Sequence, residues 1–115
     1  MNIRATLLHE TVTPRRWERV FQVPPTLSCF AGHFPGFPIV PAVVQISWVM
    51  DLAHAMLMGH RTLASIDALK FTAPIQPGDT VHLSAECSPD GSSLSFRLWS
   101  GKRVFSSGRC RFVVT

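Results

Sequence analysis

The sequence has few charged residues. They make up only 16% of its 115 residues, whereas about 25% is usual in soluble domains. Apolar residues make up 46%. Two explanations fit a surface with so little charge: a large core, or a second subunit that covers part of the surface. Composition alone leaves both open, and the length predicts a single domain over residues 1–115.

Cysteine is also scarce, and its spacing excludes the common cysteine sites. The three cysteines are an odd set without a CxxC pair, namely Cys29, Cys87 and Cys110. The first ten residues contain no apolar core of the kind that secretory signals carry. We therefore expect reduced thiols in a cytoplasmic protein.

Basic runs are absent, although the formal net charge is +4. The arginines are spread along the chain, and the only basic doublets are Arg15-Arg16 and Lys102-Arg103. Nucleic-acid binding is therefore disfavoured, because it usually relies on clustered bases interleaved with aromatic residues. A diffuse basic face indicates an acidic partner protein or an anionic cofactor.

No uninterrupted apolar run is long enough to cross a membrane. The longest apolar stretch, 39–58, contains Gln45, Asp51 and His54, which are costly to bury in lipid. We therefore predict no membrane span. The five histidines show no metal-ligand spacing, so we also predict no metal site.

The hydrophobic pattern predicts an α+β fold. Strands are expected over 5–12, 17–23, 63–72, 80–87, 93–99 and 103–114, and a helix over 41–58. Apolar residues cover nearly the whole circumference of that helix, so we expect it to be buried on most sides. A curved antiparallel sheet wrapped around one long helix achieves such burial.

The loop before the helix presents a histidine from a stiff backbone. Within 29–41, three prolines and two glycines surround His33. Proline fixes φ and glycine permits backbone conformations that other residues avoid. Pro41 suits the first turn of the helix, where its missing N–H is not needed. This pattern indicates a functional histidine delivered to a helix N-terminus.

The segment Gly32-His33-Phe34-Pro35-Gly36-Phe37-Pro38-Ile39-Val40-Pro41 strongly resembles the active-site loop of the 3-hydroxyacyl-(acyl carrier protein) dehydratases. That family has the hotdog fold, and its loop reads GHFPGxPxxPG. The next residues, Val43-Val44-Gln45-Ile46-Ser47-Trp48, are similar to the aryl polyene (pigment) branch of the family. The resemblance implies a cytoplasmic hydro-lyase of fatty acid or polyene synthesis without a bound cofactor.

The resemblance also implies roles for individual residues. His33 would be the base that removes the α-proton, with the carbonyl of Ile39 orienting its ring. The N–H groups of Ala42 and Gly36 would hold the thioester carbonyl. Val43 would lie against the substrate at the helix start. Phe34 and Phe37 are candidates to line the acyl channel.

The residue at the position of the family acid differs in this chain. That position lies fourteen residues after the histidine, and here it is occupied by Ser47, which has no acidic proton at neutral pH. Asp51 is a candidate replacement, because Ser47, Asp51 and His54 are spaced i, i+4, i+7 and share one helix stripe. The alternative is that Asp51 anchors a loop or a partner subunit.

Three functions remain open at this point. The first is a dehydratase with an altered acid, and the second is a catalytically impaired acyl-binding subunit that pairs with an active dehydratase. The third is a hotdog thioesterase. The resemblance further implies an acyl carrier protein as partner, a substrate on a phosphopantetheine arm, and a homodimer or a heterodimer with a second dehydratase-like subunit.

Overall fold

The computed structural model describes residues 5–25, 39–56 and 61–114. These ranges contain one helix and six strands. The elements are β1 (Thr6–Val12), β2 (Arg16–Gln22), α1 (Ala42–Met56), β3 (Arg61–Phe71), β4 (Thr80–Cys87), β5 (Ser93–Ser100) and β6 (Arg103–Val114). The predicted α+β composition is confirmed, and every predicted strand is found within two residues of its predicted bounds. The last two predicted helix positions, 57 and 58, lie outside the described residues.

The six strands form one antiparallel sheet in the order β1-β2-β4-β5-β6-β3. Strand β3 follows the helix in sequence but pairs with β6 at the far edge of the sheet. The chain therefore crosses the sheet through α1, and β1 and β3 are left as the two edges.

The core lies between α1 and one face of the sheet. In β4 the alternating residues Val81, Leu83 and Ala85 are buried, as the alternation predicts. The helix contributes Val49 and Leu52, both 0% exposed. This single helix packed on a curved sheet is the predicted hotdog arrangement.

The helix is less buried in the single chain than its composition suggests. Its buried residues form one face that includes Val44, Trp48 and Leu52, whereas Val43 on the other side is 74% exposed. The expectation of burial on most sides is therefore wrong for one protomer, because one sheet covers only one side of a helix. The helix side that the described part of the chain leaves uncovered carries Val43 together with polar residues such as Asp51 and His54.

The described ranges contain no helical segment with the length and hydrophobicity needed to span a lipid bilayer.

Candidate functional site

The first turn of α1 is the centre of the candidate site. The carbonyl oxygen of Pro41 accepts hydrogen bonds from the backbone N–H groups of Val44 and Gln45, at 3.1 and 3.2 Å. The N–H groups of Ala42 and Val43 precede these and have no partner within the helix. Together with the helix dipole, they make this end electropositive and suited to an oxygen that gains negative charge.

Backbone hydrogen bonds hold the segment before the helix in place. The N–H of Val40 donates to the carbonyl of Ile75 at 2.8 Å, and both residues are buried. On the other side, the N–H of Thr72 donates to the carbonyl of Phe105 at 2.9 Å. The start of the helix and the chain that follows β3 are thus both tied to the core.

A cavity of about 590 Å³ lies between these two segments. One wall consists of residues 39–42 and Gln45, and the other of residues 71–74. Most of these side chains are apolar, which suits an acyl chain. The electropositive helix start and an apolar cavity are therefore adjacent.

The structure brings only part of the predicted site to this cavity. Ile39 and Ala42 line it, while the Val43 side chain is exposed. Ser47 is half-buried and Asp51 is exposed, and neither lines the cavity. His54 is exposed as well, so the stripe that these three residues share lies on the less buried side of α1.

Four predicted site residues lie outside the described residues, namely His33, Phe34, Gly36 and Phe37. Their predicted roles stay predictions. The same holds for Cys29.

One residue of the cavity wall was missed by sequence reasoning. Gln45 does not share the stripe of Ser47 and Asp51, and the sequence pattern assigns it no role. In the structure it is 4% exposed, and its Nε2 donates to the carbonyl of Val40 at 3.2 Å. The available signal was a glutamine among apolar helix residues, since a carboxamide on a buried face needs polar partners.

The sheet face opposite α1 carries charged side chains. Arg97, Arg109 and Arg111 are exposed there, and each alternates with buried residues of β5 or β6. Arg111 pairs with Asp67, and the Arg97 guanidinium lies 5.2 Å from the centre of the Trp99 ring. These three arginines therefore share one face of the sheet with acidic side chains such as Glu86 and Asp67.

Candidate metal ligands and the Cys110 thiol can be examined within the described ranges. There, no three His, Cys, Asp or Glu side chains come together closely enough to hold a metal ion. Burial raises the pKa of the Cys110 thiol to about 11, so this thiol is neutral at physiological pH and serves as a core residue.

The chain matches the protein-family model of the ApeI-like dehydratases over residues 9–109. Among curated proteins, it is 36% identical over 64 residues to the 3-hydroxyacyl-(acyl-carrier-protein) dehydratase FabZ of Thermomicrobium roseum, covering 50% of this chain and 43% of that protein. It is 33% identical over 98 residues to FabZ of Chlamydia trachomatis, covering 74% of this chain and 63% of the relative. The chain thus spans less than two thirds of the length of these relatives.

A solved structure is similar over nearly the whole chain. It is a chain of the dehydratase heterocomplex ApeI:P from Xenorhabdus doucetiae, with 31% identity and a TM-score of 0.87. The match covers 95% of this chain and 97% of that one. The family match, the fold and the loop sequence agree, and the chain belongs to the ApeI-like branch of the hotdog 3-hydroxyacyl-(acyl carrier protein) dehydratase family.

Proposed function

We propose that the protein removes water from 3-hydroxyacyl thioesters carried on the phosphopantetheine arm of an acyl carrier protein. The observation that carries this proposal is the position of the α1 N-terminus beside the apolar cavity. Dehydration needs positive dipole at the thioester oxygen and an apolar space for the chain, and this place supplies both. Membership of the dehydratase family supports the same reaction.

In the proposed reaction, His33 takes the α-proton as the thioester carbonyl gains negative charge. A histidine suits this step because its ordinary pKa lies near neutral pH. The N–H groups of Ala42 and Gly36 stabilise the oxygen, and the Ile39 carbonyl orients the ring. Electrons then move to form the α,β double bond, and the 3-hydroxyl leaves as water after it gains a proton.

The proposed donor of that proton differs from the donor in the family. Ser47 occupies the family acid position and is half-buried. Asp51 lies one helical turn further, about 6 Å away along the same face. We propose that Asp51 supplies the proton through the Ser47 hydroxyl or a water. Because Asp51 is exposed in the single chain, this relay requires a second subunit or the substrate to enclose this side of the helix.

The second candidate is a non-catalytic acyl-binding subunit. Ser47 at the acid position favours it, because a serine hydroxyl cannot protonate a leaving group as a carboxyl does. The similar Xenorhabdus structure is a dehydratase heterocomplex, which supports pairing with a second dehydratase-like chain. In such a pair the partner would bring the acid.

We further propose that electrostatic attraction draws the acyl carrier protein to this protein. The net charge of +4 suits an acidic partner. Raising the ionic strength should weaken carrier binding, since exposed charges are screened by salt. The proposed setting is the cytoplasm, in aryl polyene or fatty acid synthesis, without a bound cofactor.

One assay separates these functions. The purified protein is offered 3-hydroxyacyl-carrier protein, and the products are identified by mass spectrometry. Dehydration that is lost in both His33→Ala and Asp51→Asn supports the first candidate. An inactive wild type that gains activity through Ser47→Glu supports the second. Release of free acid without loss of water indicates a thioesterase instead.

The matched control is His54→Ala, which removes a histidine from the same exposed stripe. It should leave turnover unchanged within about twofold, because no step of the proposed reaction uses it. Equal losses in His54→Ala and Asp51→Asn would show that the exposed stripe serves assembly and not proton transfer.

A further inference from the structure

The buried side chain of Gln45 has one polar atom without a partner among the described residues. Its Nε2 donates to the Val40 carbonyl at 3.2 Å. A carbonyl oxygen only accepts hydrogen bonds, so this contact determines which end of the carboxamide is the nitrogen. The other end, Oε1, is buried and has no hydrogen-bond donor among the described residues.

An orphan acceptor at this depth destabilises the state that contains it. Leaving a buried polar group unpaired costs enough to change an equilibrium constant by about tenfold or more. The Gln45 carboxamide donates to the Val40 carbonyl, and Val40 is itself hydrogen-bonded to Ile75. The carboxamide therefore cannot flip its nitrogen and oxygen without losing this hydrogen bond. A donor must therefore come from outside the described residues.

The facing cavity wall provides no free side-chain donor for Gln45 Oε1. The facing residues Phe71, Ala73 and Pro74 have apolar side chains. The Thr72 hydroxyl already donates to the Val104 carbonyl at 2.6 Å. A ligand that fits this wall is an apolar chain that carries one hydroxyl group.

We propose that Gln45 Oε1 accepts a hydrogen bond from the 3-hydroxyl of the bound acyl chain. This assignment rests on the proposed function, because it takes a 3-hydroxyacyl thioester to be the ligand. An amide does not titrate, so Gln45 binds and orients the hydroxyl without exchanging a proton. With its hydrogen held by Oε1, the hydroxyl keeps its lone pairs free. The proton that makes it a leaving group then comes from a second subunit, because Ser47 and Asp51 of the same chain lie on the opposite, less buried side of α1.

Access to Oε1 requires one wall of the cavity to move, since the oxygen is sealed from solvent. Phe71 of the facing wall is 44% exposed although it lines the cavity, so its side chain is only partly enclosed. The hydroxyl then supplies the donor that Oε1 lacks among the described residues. Chains that lack the hydroxyl gain only the apolar contacts.

The test measures binding and not turnover, so it works for a catalytic or a non-catalytic protein. Amide-linked analogues of 3-hydroxyoctanoyl-pantetheine and octanoyl-pantetheine are titrated into the full chain by calorimetry. The wild type should bind the hydroxylated chain about ten- to a hundredfold more tightly. Gln45→Leu should remove this preference while changing the affinity for the octanoyl chain by less than about threefold.

Thr72→Val is the matched control, because it removes a hydroxyl from the same cavity that is already hydrogen-bonded. It should keep the preference for the hydroxylated chain. Gln45→Met serves if Gln45→Leu fails to fold, and the ligand comparison in the wild type stands without any variant. No preference in the wild type, or equal loss of both affinities in the Gln45 variants, overturns the proposal.

The outcomes also separate this proposal from the function on which it rests. Tight binding of both chains without preference leaves acyl binding intact and removes only the role of Gln45. If neither chain binds to the wild type, the acyl-binding function itself is wrong, and the role of Gln45 is rejected with it.

Discussion

Asp90 shows how one side chain organises the turn between β4 and β5. Its Oδ1 accepts hydrogen bonds from the Ser92 backbone N–H at 3.0 Å, the Ser88 hydroxyl at 2.7 Å and the Ser92 hydroxyl at 2.8 Å. These donors, with the Ser92 N–H the strongest, lower the pKa of Asp90 from 3.8 to about 2. The ionised carboxylate is thus the form that the folded turn prefers.

This pKa predicts how the turn responds to acid. A lowered pKa stabilises the folded state above pH 3.8, and the contribution is lost as the pH falls from there through about 2. The melting temperature of the wild type should therefore exceed that of Asp90→Asn at neutral pH, and the difference should shrink in this acidic window. Thermal melts between neutral pH and pH 2 check it.

Ser92→Ala is the control, because it removes one hydroxyl donor and keeps the backbone N–H. It should raise the pKa of Asp90 only part of the way to its ordinary value, as followed by NMR titration. A difference between wild type and Asp90→Asn that does not change with pH would contradict this role of the charge.

At the scale of the strands, Gly108 allows β5 and β6 to pack closely. It lies opposite Phe96 in the register, and a Cβ at this position would come within 2.9 Å of the Cε2 and Cζ atoms of the Phe96 ring. Phe96 is 4% exposed, so the ring has little space to retreat. We expect Gly108→Ala to lower the free energy of unfolding by about 1–3 kcal/mol through overpacking.

Chemical denaturation of a double-mutant cycle isolates this contact. Gly108→Ala should cost less in a Phe96→Leu background, because the smaller side chain leaves room for the methyl group. Additive costs of the two substitutions would show that the effect of Gly108→Ala comes from the backbone and not from the ring.

At the scale of the whole molecule, the uncovered surfaces predict assembly. Val43 is 74% exposed on the helix, and Leu69 and Phe71 are 41% and 44% exposed on the edge strand β3. This edge adjoins the cavity through Phe71, so pairing here would place a second chain beside the candidate site. We expect a homodimer in which two β3 edges meet.

Sedimentation at micromolar concentration checks this expectation with two matched variants. Leu69→Lys places a charge on the β3 edge and should shift the protein towards monomers, since edge lysines oppose strand pairing. Leu7→Lys places the same charge on the other edge strand, β1, where Leu7 is 56% exposed, and should leave the dimer intact. A monomeric wild type would contradict the prediction, as would dimer loss in Leu7→Lys alone.

Local chemistry made much of the fold predictable. Alternation along β4 assigned Val81, Leu83 and Ala85 to the core, and all three are at most 2% exposed. Pro41 predicted the start of the helix, which begins at the next residue. Such features follow from neighbouring residues, because strand pleat, proline geometry and glycine turns act over a few positions.

The tertiary structure decided what neighbouring residues could not. The pattern of α1 showed an apolar circumference, but only the single sheet on one side determined that Leu52 is buried while Val43 is exposed. Likewise, Gln45 is polar in any context, yet its Oε1 lacks a donor among the described residues. Val40 holds its nitrogen beside a cavity whose other wall, residues 71–74, is distant in sequence. Burial and hydrogen-bond partners depend on segments that meet only in the folded chain, and for this reason the cavity beside the helix start was not predicted from the residues.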